Sequence, residues 1–174
     1  MTGTVIRTLA AEEATQRLAE LSALLIDSVD GGASVGFLTP MTRAKADPFW
    51  RNVVDGLAAG ARRLIIAEDP AGGIVGAVQL VFAAPENQPH RADVSKLLVL
   101  RSARRLGIGE ALMRAVEDAA QAAGRTVLVL DTATAEAERV YARTGWTKLG
   151  VLPDYALMPD GSLCDTAFYY KRLK

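Results

Sequence analysis

The chain has 174 residues, half of them hydrophobic, with 20 Lys plus Arg set against 20 Asp plus Glu. That is enough for one domain with an ordinary core, and it leaves no net field to recruit nucleic acid or an anionic membrane. A single cysteine, Cys164, excludes an internal disulfide, and with a single histidine it argues against a zinc site of the usual kind. With no basic-then-apolar leader and no run of ~18 uninterrupted apolar residues, the expectation is a soluble, cytoplasmic protein.

Residues 4–9 alternate as a first strand. From Ala11 the apolar positions Ala14, Leu18, Leu21, Leu25 and Val29 fall on one face, predicting one helix stopped by Gly31-Gly32. After the loop GGASVGFLTP, a second helix carries Phe49, Val53 and Leu57 on one side until Gly60, and the pair Phe49-Trp50 reads as core. RRLIIAED and GIVGAVQLVFA are strand runs around the turn 70–73, an antiparallel hairpin signal. ADVSKLLVL is a long strand. The next helix shows Ile108, Leu112, Ala115, Val116, Ala119 and Ala123 until Gly124. TVLVLD is a buried strand, AEAERVYARTG a short helix, and WTKLGVL and LCDTAFYYKRL are closing strands. The order βααβββαβαββ predicts an α/β (α+β) domain over residues 1–174: about seven strands, mostly antiparallel with a central parallel pair, and four helices.

The most informative stretch is LLVLRSARRLGIGEALMRAVEDA, residues 97–119. An apolar strand leads through Arg101, Arg104 and Arg105 into Gly107 and Gly109 and then a helix. The first N–H groups of a helix have no intrahelical partner, and with the positive dipole end they favour an anion. Alternate glycines let a phosphate approach the backbone, and the arginines add charge-assisted hydrogen bonds. There is no Gly-Lys-Ser/Thr for a P-loop, nor a third glycine where a dinucleotide turn would need it, near Leu112.

Arg104-x-x-Gly107-x-Gly109 resembles the Arg/Gln-x-x-Gly-x-Gly/Ala signature of the GNAT superfamily of N-acetyltransferases. Tyr141-x-x-x-Gly145-Trp146 resembles that family's Tyr-x-x-x-Gly-Phe, and the element order agrees. GGASVGF (31–37), RADVSKLLVL (91–100), LDT (130–132) and LPDYALMPDG (152–161) further resemble the tabtoxin-resistance group within it. The resemblance implies acetyl-coenzyme A (acetyl-CoA) as co-substrate. Arg104, Arg105, Leu106, Gly107, Ile108, Gly109 and Glu110 would then cradle its pyrophosphate. Leu98, Val99 and Leu100 would pair with its pantetheine arm along a splayed strand, the Val99 N–H facing the thioester oxygen.

By the same resemblance, Tyr141 is the group that donates to the leaving sulfur, against a plain role as core aromatic. Asp93 and Asp131 are expected to take the amine's proton through a shared water. The family pattern has Glu at the first of these positions, and Asp131 would alternatively cap a turn. His90 is the alternative base but reads as a solvated loop residue, and Cys164 with His90 has no nucleophile motif behind it. Gly32, Ser34, Val35 and Phe37 are expected to line the acceptor pocket. The expected acceptor is a small primary amine, with an amino-acid-like toxin or antibiotic as one form, and the protein a monomer or homodimer. The alternatives are a non-catalytic acyl-CoA sensor and an acetyltransferase of protein lysines or N-termini.

Overall fold

The computed structural model describes residues 3–174. Seven strands, β1 (Val5–Leu9), β2 (Arg62–Glu68), β3 (Ile74–Phe82), β4 (Arg91–Val99), β5 (Val127–Thr132), β6 (Thr147–Leu157) and β7 (Leu163–Arg172), form one sheet. Its order is β1-β2-β3-β4-β5-β7-β6. Every neighbouring pair is antiparallel except β4–β5. The predicted mixed sheet with one central parallel pair is therefore the observed one.

Among the described residues the α-helices number five: α1 (Ala11–Gln16), α2 (Leu18–Asp30), α3 (Arg43–Ala58), α4 (Ile108–Ala122) and α5 (Ala135–Arg143). The single helix expected over residues 11–29 is broken at Arg17. No Gly or Pro stands there. Arg17 instead leaves helical geometry with φ −104° and ψ 17°. Its guanidinium bonds Glu20, Glu68 of β2 and, at 2.6 Å, the Gly72 carbonyl. An ion network between layers overrides the local helix preference.

The sheet is covered on both faces, which explains why its central strands are continuous apolar runs. On one face α4 buries Ile108, Leu112, Met113, Val116 and Ala120 against β2–β5. On the other, Leu21, Leu24 and Leu25 of α2 and Ala46, Trp50 and Val53 of α3 pack on Leu64, Ile66, Ala77 and Leu98. The α3 stripe is turned from the one expected: Trp50 is fully buried, while Phe49 and Leu57 lie at its margin. Strand β6 runs past Leu152 to Leu157 by a register shift beside Asp154, whose φ is +52°. Among the described residues no helix is long and apolar enough to cross a membrane.

Candidate active site

Strands β4 and β5 meet only at Arg91–Val127, Ala92–Leu128 and Asp93–Val129. Beyond these pairs β4 keeps β3 as neighbour and β5 keeps β7, so a wedge opens between them. Within the wedge β4 carries a bulge. Ser95 pairs with Gln79 but Leu98 with Ala77, so Lys96 and Leu97 together oppose Val78, and Lys96 takes a φ of +53°. The Leu100 N–H bonds the Val75 carbonyl of β3 at 2.9 Å. Strand alternation therefore turns the Val99 N–H away from β3 and into the wedge.

The wedge leads to the start of α4. Gly107 is the N-cap in the left-handed region (φ +79°), and no side chain caps the helix. A Cβ on Gly107 would meet nothing within 4 Å, and one on Gly109 only Val140 at 3.9 Å. The bare backbone thus faces open space: a groove of about 810 Å³ bounded by Leu97–Val99, the turn before α4, α5 and Gly31–Ala33. Arg104 and Arg105 line it, as expected. Arg104 bonds the Val99 carbonyl through Nε at 3.4 Å and stands 3.7 Å from Glu136. Two further cations of the groove, Arg139 and Arg143, escaped the sequence reading. Their one signal is spacing, four residues apart on a single helix face.

Of the other cradle residues, Gly107, Ile108, Gly109 and Glu110 line the groove, as do Leu98 and Val99. Leu100 and Leu106 are not among its lining residues. Leu100 has its N–H taken by β3, and Leu106 borders a separate hollow of about 100 Å³ with Thr4 and Ile6. Arg101 is also turned elsewhere: its N–H and Nε both bond the Asp27 carboxylate at 2.8 Å, pinning the turn to α2.

The loop between α2 and α3 borders the same groove at its start. Gly32 lines the groove. Ser34 bonds the Leu157 carbonyl at 3.3 Å, and Thr39 bonds the Pro159 carbonyl through both N–H and hydroxyl, tying the loop to the β6–β7 hairpin. Val35 and Phe37 pack inward, Phe37 edge-on to Phe49 at 5.4 Å.

Asp93 and Asp131 lie on the sheet face away from α4, since Asp93 is opposite Val129 and Asp131 is two residues along the same strand. Asp93 sits at the closed end of the wedge, bonded at 2.9 and 3.0 Å by Arg91. Asp131 is exposed further up, where the strands have parted. Tyr141 is buried beside Tyr169 and Trp146, at centroid distances of 5.6 and 6.1 Å, and does not line the groove, whereas its neighbour Val140 does. Burial, then the charge of Asp131, pushes its hydroxyl well above the ordinary tyrosine range. His90 is exposed before the paired stretch, its carbonyl accepting from Thr126 and Val127. Cys164 stands 4.0 Å from Ser34, not beside His90. The sequence reading also missed Lys96, whose ammonium extends from the bulge toward the Phe49 ring of α3 and Gly36.

A family model described as the acetyltransferase (GNAT) domain matches residues 60–148, just over half of the chain. The chain belongs to the GNAT acetyltransferase family. It is 33% identical over 107 residues to an N-acetyltransferase of Azospirillum brasilense from the hisH-hisA intergenic region, a match spanning 60% of this chain and 61% of that protein's length. Two solved acetyltransferase structures show the same fold. The phosphinothricin acetyltransferase of Sinorhizobium meliloti in complex with acetyl-CoA superposes with a TM-score of 0.81 at 19% identity, covering 98% of this chain and 88% of that one. The ribosomal-protein-alanine N-acetyltransferase of Brucella melitensis gives 0.79 at 22%, covering 97% and 99%. The wedge, the bulged β4 and the bare start of α4 described above lie within the residues that the family model matches.

Proposed function

We propose that the protein transfers the acetyl group of acetyl-CoA directly to the primary amine of a small molecule, both being bound in one ternary complex. The observation that carries this reading is the open wedge between β4 and β5, which runs from the stretch where Asp93 and Asp131 stand to a bare, cationic helix start. Its residues fit acetyl-CoA. Gly107 and Gly109 leave space where any Cβ would intrude, and Arg104, Arg105, Arg139 and Arg143 offer charge to phosphates. When bound, acetyl-CoA supplies an activated acyl thioester.

This chain's own groups then divide the work. The Val99 N–H donates to the thioester carbonyl oxygen as negative charge grows there, an interaction typically worth roughly 3–4 kcal/mol in the transition state. Asp131, with Asp93 through a water, attracts the ammonium and takes its proton. Tyr141 donates its hydroxyl to the sulfur, and its raised pKa keeps that proton in place at any working pH. Cys164 lies outside the groove, which supports direct transfer over an acyl-enzyme.

Relatives named for phosphinothricin and for a ribosomal protein share the fold below 25% identity, so the fold by itself does not choose the acceptor. The α2–α3 loop favours a small one, because its bonds to the β6–β7 hairpin hold it beside the groove that its first residues line, which leaves less room for a peptide. The tabtoxin-resistance resemblance points the same way. The test is an acceptor screen following thiol release, with amines and amino acids against N-terminal and lysine peptides. Turnover with small amines and intersecting initial-rate lines support the reading. Turnover confined to peptides, or coenzyme A binding with no turnover, replaces it by protein acetylation or acyl-CoA sensing respectively.

A further inference from the structure

Lys96 occupies a position that a lysine does not choose for its backbone. At the bulge its φ is +53°, in the left-handed region that only glycine enters without cost. Strain of this kind persists where the surrounding structure holds it, and it concentrates at binding sites. The side chain is half-buried, and burial pushes its ammonium below the ordinary lysine range, partly offset by the charge of Asp131. No hydrogen bond or ion pair holds it among the described residues. Its neighbours are the Phe49 ring of α3, 5.9 Å from Nζ, and the backbone of Gly36, where a Cβ would stand 3.7 Å from Nζ.

A partly desolvated cation without a partner is costly, and the half-buried Lys171 has one, Glu117 at 2.7 Å. Lys96 feels Asp131 but forms no ion pair with it. Lys96, beside Phe49, and Asp131 lie on the same face of the sheet, away from α4, with no ion pair closing the gap between them. A ligand carrying both complementary charges fills that gap, its ammonium toward Asp131 and its anion toward Lys96, beneath the Phe37–Phe49 aromatic pair. We infer that Lys96 receives the carboxylate of the acceptor, and that the acetylated amine therefore belongs to a free amino acid. The inference rests on the amine-acetyltransferase reading for its chemistry, though not for its binding.

The experiment compares free amino acids with their own carboxamides. In the wild type kcat/KM for the acid exceeds that for the amide, for at least one side chain, by roughly tenfold to a hundredfold, the range expected of one charge-assisted contact. In Lys96→Met that ratio falls toward one, and Lys96→Arg restores part of it. A general-base role for Lys96 would lower acid and amide alike and leave their ratio standing. Lys96→Gly, which the left-handed backbone favours, guards against a misfolded Met variant. A second arm needs no turnover: with coenzyme A present, N-acetylated amino acids are expected to raise Tm in wild type more than their carboxamides do, and not in Lys96→Met. If both arms show no acid preference, or one that survives in Lys96→Met and Lys96→Gly, the inference is overturned. If the binding preference holds while no amine is acetylated, the inference stands and the catalytic reading falls.

Discussion

Asp93 and Val129 are the last residues at which β4 and β5 meet, and Asp131, two residues beyond Val129, already borders open space on its β4 side. One step along the sheet separates a closed ladder from a cleft. That step sets Asp131 beside the opening and leaves the Val99 N–H without a partner strand.

The cradle is tested by substitution at its two glycines, which are expected to fail differently. Acetyl-CoA at a hundred times its Kd should stabilise the wild type by roughly 2.7 kcal/mol, a rise of roughly 5–11 °C in Tm for a chain of this size. Gly109→Arg should fold with a near-normal Tm, because nothing lies within 3.9 Å of the new Cβ, and should lose most of the ligand-induced rise. Gly107→Ala must adopt φ +79°, so it should lower Tm of the free protein by a few degrees. A full acetyl-CoA response in folded Gly109→Arg would remove the cradle from the α4 N-terminus.

Tyr141→Phe separates the thiol-donor role from a packing role. Its hydroxyl has no protein partner among the described residues, so its loss should change Tm by no more than a degree or two. Turnover should fall by roughly 10²–10⁴ with acetyl-CoA affinity retained, as for a donor needed only when the sulfur departs. Because the folded hydroxyl titrates above its ordinary value near 10, the wild type should show no loss of turnover from this group up to about pH 10. Wild-type single-turnover rates in Tyr141→Phe would return the residue to the core.

Features set by local chemistry were legible in the sequence, and features set by distant partners were not. The α4 stripe and the cradle could be read because a 3.6-residue period and a left-handed N-cap impose residue types on their own positions. The break at Arg17 is made by Glu68, 51 residues away. Arg101 and Arg104 look alike in the sequence, yet Asp27, 74 residues from Arg101, takes one and leaves the other to the groove. Lys96 was passed over for the same reason: its bulge arises from a register mismatch with β3, not from any residue that announces a bulge.

The network at the Arg17 break gives the protein an acid-sensitive joint. Hydrogen bonds from Arg7 and then Arg17 hold the Glu68 carboxyl down at about 2, whereas an unfolded glutamate titrates near 4.3. A depressed folded value contributes stability that is complete above about pH 4.3 and disappears as pH falls through about 2. Glu68→Gln should therefore lower Tm by several degrees at pH 7, and the gap from wild type should close as pH drops from 5 toward 2. A gap independent of pH would mean that packing, not charge, holds β1, β2 and the α1–α2 corner together.

The acceptor side is tested by a pH–rate profile on wild type, Asp93→Asn, Asp131→Asn, their double variant and His90→Ala, with one good amine. In the proposed mechanism an amine arrives as ammonium, and the carboxylates attract it and take its proton through a shared water. Each single substitution should lower kcat/KM at neutral pH and recover part of the loss at higher pH, where more amine is already free. Asp131→Asn should be the more severe, because Asp131 borders the open wedge while Asp93 is held by Arg91 at its closed end. The double variant should lose less than the product of the single effects if one water links the two groups, since residues acting as a unit are not additive. Acetyl-CoA binding should hold in all of them, because neither carboxylate borders the cradle. His90→Ala should behave as wild type, its side chain standing in solvent before the paired stretch of β4 and β5. Loss of the basic limb in His90→Ala, with both Asp variants keeping it, would move the base to the histidine and leave the carboxylates only the task of attracting the amine.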